Sequence, residues 1–345
     1  MEKLRTAVLG ASGYTGAEAV RLIDAHPNLT ISALTANRHA GKAYGEVYPH
    51  LAHSSFPQLQ KWQDVNWDHI DVVFACLPHG ASEETISVVS DHVEKIVDLS
   101  ADFRLKDAEL YETTYGRAHT APKLLKEAVY GLSEYARDDL AGASLVACPG
   151  CYPTASLLAL LPALELIDQN NIIIDAKSGV SGAGRKESTA LLYPETAEGA
   201  HAYAIGTHRH GPEIDQMLSN VCAQDIQVSF TPHLVPMNRG MIATCYVKLN
   251  QGVSIADLRA AYEARYHDEP FVHLEAEGVV PHTRHVRASN QCRIGVFADR
   301  REGHAIIISV IDNLTKGSSG QAVQNLNIMM GWGETLGLGM VPVFP

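Results

Sequence analysis

Short apolar runs alternate with amphipathic ones along the first part of the chain. Thr6 to Leu9 is a compact apolar run that stops at Gly10, and Ala17 to Ala25 follows with helical spacing and ends before Pro27. Thr30 to Leu34, Asp71 to Leu77 and Lys95 to Leu99 are further buried-strand runs, with a helix-compatible stretch from Ser82 to Asp91 between the last two. Strands alternating with helices predict a parallel sheet with right-handed crossovers. Ser144 to Ala147 reads as the last strand of that series. After a helix from about Thr154 to Leu166 the pattern changes. Strand runs at Ile172–Ala176, Ile226–Thr231, Met241–Leu249, Cys292–Ala298 and Ala305–Val310 are interrupted by a helix at Ile255–His267, and Gln321 to Met330 closes the chain as a helix-compatible run. The expected fold is α/β: a Rossmann-type doubly wound parallel sheet, plus an α+β catalytic domain with a mixed or antiparallel sheet. The expected division is 1–147 for dinucleotide binding, 148–317 for catalysis and dimerisation, and 318–345 as a C-terminal segment.

Composition narrows the function. A chain of 345 residues that is 46% hydrophobic has enough apolar material for two cores. Its formal net charge of −12 argues against nucleic acid or an anionic membrane as partner. No stretch reaches the roughly 18–20 apolar residues that a membrane span requires, and Met1 to Arg5 lacks the layout of a secretory signal. The six cysteines therefore read as reduced cytoplasmic thiols.

Gly10-Ala11-Ser12-Gly13-Tyr14-Thr15-Gly16 lies between the first strand and the first helix. Glycines at this spacing let the backbone approach a pyrophosphate, and the helix N-terminus then faces the phosphates. An NAD enzyme usually carries an acid at the end of strand two. Here that stretch is Leu34-Thr35-Ala36-Asn37-Arg38-His39-Ala40-Gly41-Lys42, with two cations and no acid. Arg38 suits a 2′-phosphate, with Thr35 or Asn37 as donors, which favours NADP. The competing reading makes Arg38 and Lys42 solvated loop charges.

The second chemical signal is Cys148-Pro149-Gly150-Cys151-Tyr152-Pro153-Thr154, just ahead of an apolar helical run. A thiol at a helix N-terminus is biased towards the nucleophilic thiolate. A zinc site would want more ligands, and Cys76, Cys222, Cys245 and Cys292 are isolated. A thioredoxin-like pair, or two packed thiols, are the other readings of C-x-x-C. Cys151 is the better nucleophile because Pro153 fits an early helical position, whereas Cys148 is on the strand side. His208-Arg209-His210, ahead of a helix expected from Pro212, offers a base that would approach Cys151 across the cleft between domains. In an extended segment the two histidines would point opposite ways, so one reaches the sulfur; His208 is favoured because His210 abuts the helix. A metal reading of His-x-His has only Glu213 nearby as a third ligand, and no metal is expected.

With these motifs together, the chain resembles the N-acetyl-gamma-glutamyl-phosphate reductase family over essentially its whole length. The marks are Gly10–Gly16, Pro78-His79-Gly80, Asp98–Leu105, Pro149–Thr154, Ser178–Arg185, His208-Arg209-His210 with Pro212-Glu213-Ile214, and Asp312-Asn313-Leu314 with Lys316-Gly317. The cysteine segment is specific to that family; the glycine turn is widely shared. The resemblance implies a catalytic domain like that of aspartate-semialdehyde dehydrogenase, and a final helix that returns to the first domain. It implies Cys151 as nucleophile, His208 or His210 as acid/base, and Arg104, Glu213 and Ser181 on the substrate. It sets NADP against Gly10, Ser12, Gly13, Tyr14, Thr15, Gly16, Thr35, Arg38, Pro78, Ser178, Gly179, Gly182 and Asn313. One departure is Ala36-Asn37-Arg38, where many relatives carry Ser-Arg. The implied reaction is reduction of N-acetylglutamyl phosphate through a cysteine thioester, in arginine biosynthesis. The expected partners are that small molecule, phosphate and further copies of the chain as a dimer or tetramer. A dehydrogenase for aspartyl or aminoadipyl phosphate shares this logic, and a dinucleotide-sensing regulator would need no reactive thiol. A short-chain oxidoreductase is excluded, because no tyrosine has lysine four positions on.

Overall fold

The computed structural model describes residues 2–185 and 187–345. The chain divides into two compact units, residues 1–149 with 318–339, and residues 150–317 with 340–345.

The first unit is built on a seven-stranded sheet. Its strands are β1 (Leu4–Leu9), β2 (Leu29–Thr35), β3 (Leu59–Gln60), β4 (Val72–Ala75), β5 (Lys95–Asp98), β6 (Val129–Tyr130) and β7 (Leu145–Ala147). They lie in the order β3-β2-β1-β4-β5-β7-β6, and every pairing is parallel. The strand order reverses direction at β1, the switch point where doubly wound sheets bind ligands. Ala7, Leu9, Val73, Ala75 and Ile96 form one face of the core with Phe103 and Ile86. The helix Gly320–Met329 belongs to this unit although it is polar in sequence. Gln321, Gln324, Asn325 and Asn327 have no exposed surface. Asn325 and Asn327 are buried because they are bonded: Asn325 donates to Gly131 O at 2.8 Å and accepts from Ser133 Oγ at 2.6 Å, and Asn327 Oδ1 lies 3.0 Å from His26 Nε2.

The second unit carries β8 (Ile167–Gly179), β9 (His201–Ala202), β10 (Ser229–Val235), β11 (Met241–Leu249), β12 (Val272–Leu274), β13 (Cys292–Ala298) and β14 (His304–Ile311). The order is β12-β13-β14-β11-β8-β10-β9. It is mixed: β8/β10 and β12/β13 run parallel and the other pairs antiparallel. Strict alternation along β11 buries Met241, Ala243, Cys245, Val247 and Leu249 on one face. The helix Cys151–Leu160 packs on β11 and β14, and every residue from Tyr152 to Leu160 is buried. The last six residues group with this unit rather than with the first, where the helix before them lies; Val343 N–H donates to Arg287 O at 2.9 Å.

Candidate active site

In the first unit the glycine turn is shaped by packing. Gly10 has φ +71°, and a Cβ there would collide with the carbonyl of Cys76, so only glycine fits. A Cβ on Gly16 would approach Ala11 Cα within 2.7 Å. Gly13 is different: a Cβ there would meet nothing nearer than 3.5 Å, so its missing side chain leaves surface open beside the helix start. The carbonyls of the turn are tied back by tyrosines, Tyr44 Oη to Ala11 O at 3.0 Å and Tyr48 Oη to Ser12 O at 2.9 Å and Gly13 O at 3.0 Å. No side chain caps the helix Tyr14–Asp24 among the described residues. Its first-turn N–H groups at Tyr14 and Thr15 therefore suit a phosphate. Thr35 is buried, and its hydroxyl accepts from Gly10 N–H at 3.3 Å, so it holds the turn. Arg38 is exposed and makes no ion pair among the described residues.

Pro78 opens the loop after β4, and that loop is fixed by a buried carboxylate. Asp102 accepts from Gly80 N–H at 2.9 Å and Ser82 N–H at 3.0 Å, and lies 2.6 Å from His79 Nδ1. Burial alone would raise its pKa, but these donors hold it below the usual carboxylate range. Asp98 also has donors, Ser82 Oγ at 2.9 Å, Ser100 N–H at 3.0 Å and Ser100 Oγ at 2.7 Å, but burial outweighs them and pushes it up to about 6. Arg104, also buried, donates through Nε to Cys148 O at 2.8 Å and through Nη2 to Leu99 O at 3.1 Å. Arg104, expected on the substrate, braces the end of β7.

The second unit holds the thiol. Cys151 is the first residue of its helix, and Gly150 is the N-cap in extended conformation. Glu213, with no exposed surface, accepts the Gly150 N–H at 2.8 Å. Glu213, expected on the substrate, has its carboxylate engaged with the backbone next to the nucleophile. A Cβ on Gly150 would collide with His210 Nε2, and one on Gly317 would come within 2.8 Å of Cys151 Cβ. These two glycines let His210 pack on the residue before Cys151 and the chain after β14 pack on Cys151 itself. No disulfide joins any of the six cysteines among the described residues. Burial pushes the Cys148 thiol up to about 12, which makes it a packing group.

Cys151, His208 and His210 all belong to the second unit, so their approach is internal to it and not across two domains. The two imidazoles do not diverge: their centroids are 4.7 Å apart. The segment is a turn rather than a strand, with Ala204 at φ +46° and Gly206 at φ +67°, and the helix begins at His210, two residues before Pro212. His208 Nδ1 accepts the His210 N–H at 3.1 Å, so the neutral ring carries its proton on Nε2. The half-buried His208 ring sits among Tyr152, Tyr203 and Phe230. Burial, then the charge of Arg209, lowers its pKa to about 4. Tyr203 Oη donates to Tyr152 Oη at 3.2 Å, which donates to His233 O at 3.2 Å. Burial pushes both phenols up, and a charged Cys151 pushes the same way, so both stay protonated beside the thiol. These tyrosines had no signal in spacing.

Ser178 and Gly179 end β8, and Ser181 and Gly182 lie in the 3-10 turn Val180–Ala183. A Cβ on Gly179 would meet Met237 O at 2.7 Å. Asn313 is buried; it donates to Ser181 Oγ at 3.0 Å and accepts from Gly240 N–H at 2.8 Å. Asn313 and Ser181 thus support the turn after β8.

Residues 5–143 match the family model "Semialdehyde dehydrogenase, NAD binding domain", and residues 151–313 match "Semialdehyde dehydrogenase, dimerisation domain". An N-acetyl-gamma-glutamyl-phosphate reductase of Rhodospirillum rubrum is 53% identical over 100% of this chain and 99% of its own. The chain belongs to the N-acetyl-gamma-glutamyl-phosphate reductase family. A probable chloroplastic member from Oryza sativa subsp. japonica is 54% identical over 100% of this chain and 83% of its own. Among solved structures, aspartate semialdehyde dehydrogenase II of Vibrio cholerae shares the fold with a TM-score of 0.73 at 16% identity, over 96% of this chain and 99% of that one. No helix among the described residues is long and apolar enough to cross a membrane.

Proposed function

We propose that this chain reduces N-acetyl-L-glutamyl 5-phosphate to N-acetyl-L-glutamate 5-semialdehyde and phosphate, reversibly, with NADPH, as a step of arginine biosynthesis. The observation that carries the reading is Cys151 at the first position of a buried helix, with Gly150 pinned by Glu213 and both histidine rings against the next residue, Tyr152. The relatives' names supply the substrate.

Cys151 as thiolate attacks the acyl carbon; the C–O bond to phosphate breaks and phosphate leaves with a proton. A dinucleotide held at the glycine turn would supply the hydride needed to take the thioester to the aldehyde level. The resulting alkoxide re-forms its C=O as the C–S bond breaks, and Cys151 is regenerated. Gly150's N–H is taken by Glu213, so the donor for the oxyanion is the Tyr152 amide, which has no intrahelical acceptor at that position. His208 is the acid/base: a neutral ring with Nε2–H is a donor that does not compete for the thiolate's charge. His210, 7% exposed, fills the space over Gly150 and aims the turn. Arg104 steadies the strand end below Pro149, and Ser181 contacts substrate.

Gly10, Ser12, Gly13, Tyr14, Thr15 and Gly16 hold the pyrophosphate, and Arg38 receives the 2′-phosphate of NADP. Pro78, Ser178, Gly179, Gly182 and Asn313 shape the rest of the dinucleotide site. The dimerisation-domain match supports a homo-oligomer, read by light scattering, and six unbridged thiols support a cytoplasmic location. The deciding experiment is NADP+ reduction with N-acetylglutamate semialdehyde and phosphate. Turnover with that aldehyde, and much slower turnover with aspartate semialdehyde, is the expected result; a preference for the latter overturns the reading.

A further inference from the structure

The segment His208-Arg209-His210 carries a side chain that the reaction leaves unused. Arg209 is the N-cap of the helix His210–Cys222, in right-handed helical backbone, and its side chain caps nothing. It is exposed, and it makes no ion pair or side-chain hydrogen bond among the described residues. Other cations of this unit are matched: Lys177 with Asp175 at 2.8 Å, Arg239 with Asp312 at 2.9 Å, Arg265 with Glu269 at 2.6 Å and Arg293 with Glu275 at 3.1 Å. Arg209 precedes Glu213 by four residues. It therefore heads the helix face from which Glu213 reaches the Gly150 amide beside Cys151. The rings on either side of it in sequence, His208 and His210, both lie against Tyr152. Its charge is felt in the same cluster. At His208 it adds to burial in lowering the pKa. At Tyr203, where burial dominates and raises the phenol, Arg209 opposes the further rise that a charged Cys151 causes. One phenol thus lies within electrostatic reach of both the thiol and the guanidinium.

We propose that Arg209 binds the α-carboxylate of the substrate and so selects an acidic semialdehyde over an uncharged one; this rests on the reductase reading. The acyl carbon of N-acetylglutamyl phosphate must lie at Cys151, and the phosphate with it. The carboxylate is at the other end of the molecule, three carbons further on. It calls for a cation set back from the thiol, which is where Arg209 stands, on the exposed side of Tyr203 and His208. The planar fork of a guanidinium matches the two oxygens of a carboxylate. Arg104, the cation expected there from the sequence, is engaged instead with Cys148 O and Leu99 O.

The test compares N-acetylglutamate semialdehyde with its α-carboxamide analogue, which lacks the charge, in phosphate-dependent NADP+ reduction by the full chain. The wild type favours the carboxylate in kcat/KM by about tenfold or more. Arg209→Gln removes that preference by raising the KM for the carboxylate, and leaves kcat/KM for the amide at its wild-type value. Arg209→Lys, which keeps the charge and loses the fork, is intermediate. A merely structural role for Arg209 lowers both substrates alike. An Arg209→Gln enzyme with an undiminished preference for the carboxylate overturns the proposal. So does a rise in the KM for phosphate with the preference intact, since Arg209 would then serve the leaving group. No turnover of N-acetylglutamate semialdehyde by the wild type overturns the reductase reading, and this assignment with it; turnover with an unaltered preference in the variant overturns this assignment alone.

Discussion

Glu213 and Gly150 are joined by a 2.8 Å hydrogen bond between a carboxylate with no exposed surface and the amide one residue before the nucleophile. A buried charge is tolerated only where donors satisfy it. Glu213→Ala leaves the Gly150 N–H buried without its acceptor, at a cost of about 1–3 kcal/mol. The expected result is a lower denaturation midpoint together with a fall in kcat, whereas Glu213→Gln, which keeps an acceptor oxygen, retains most of the stability. Equal midpoints for the two variants would contradict this account.

Cys151→Ala is expected to abolish turnover and leave dinucleotide binding at its wild-type value, because the glycine turn belongs to the other unit. Iodoacetamide near neutral pH is expected to label Cys151 well ahead of Cys148 and Cys245, whose thiols burial pushes up to about 12. Peptide mapping of the alkylated protein reads both.

Gly150→Ala drives a methyl group into the His210 imidazole. The chain must then shift at the start of the helix, and a displacement of about 1 Å at a reacting group costs about a hundredfold in rate. Steady-state kinetics and circular dichroism together check that activity falls while the fold remains.

His208 has a folded-state pKa of about 4, below its ordinary value of about 6.5. The native state resists protonation there more than the unfolded chain does. Its favourable contribution is therefore complete above pH 6.5 and is lost progressively as pH falls towards 4, by up to roughly 3 kcal/mol. His208→Gln removes this term, so the difference in unfolding free energy between the two proteins should change between pH 6.5 and 4 and be flat above. Urea titrations across that range measure it.

Arg38→Ala is expected to raise the KM for NADPH by about tenfold or more and to leave NADH nearly unaffected, since only the former carries a 2′-phosphate. A parallel loss for both cofactors would make Arg38 a plain surface charge.

The parallel sheet was legible because its strands are continuous apolar runs separated by helices, and the glycine turn because only glycine survives beside the Cys76 carbonyl. Cys151 announced itself through Pro153 and the apolar helix behind it. The histidine geometry did not, because Ala204 and Gly206 at positive φ convert an apparent extension into a turn. Glu213 was visible as a residue but not as a brace: its partner is a backbone amide sixty-three positions away, which side-chain patterns do not encode. The tyrosines behind the glycine turn, and the asparagines of the Gly320–Met329 helix, were hidden for the same reason. Their function depends on carbonyls and hydroxyls brought near by the fold.

That last helix also constrains biosynthesis. The first unit is finished only when residues 318–339 return to it, after the whole intervening polypeptide has emerged from the ribosome. Until then Gly131, Ser133 and His26 lack their asparagine partners. A fragment ending at residue 149 should be poorly soluble when made alone, and a version with the terminal helix fused back by a short linker should be the smallest independent nucleotide-binding module.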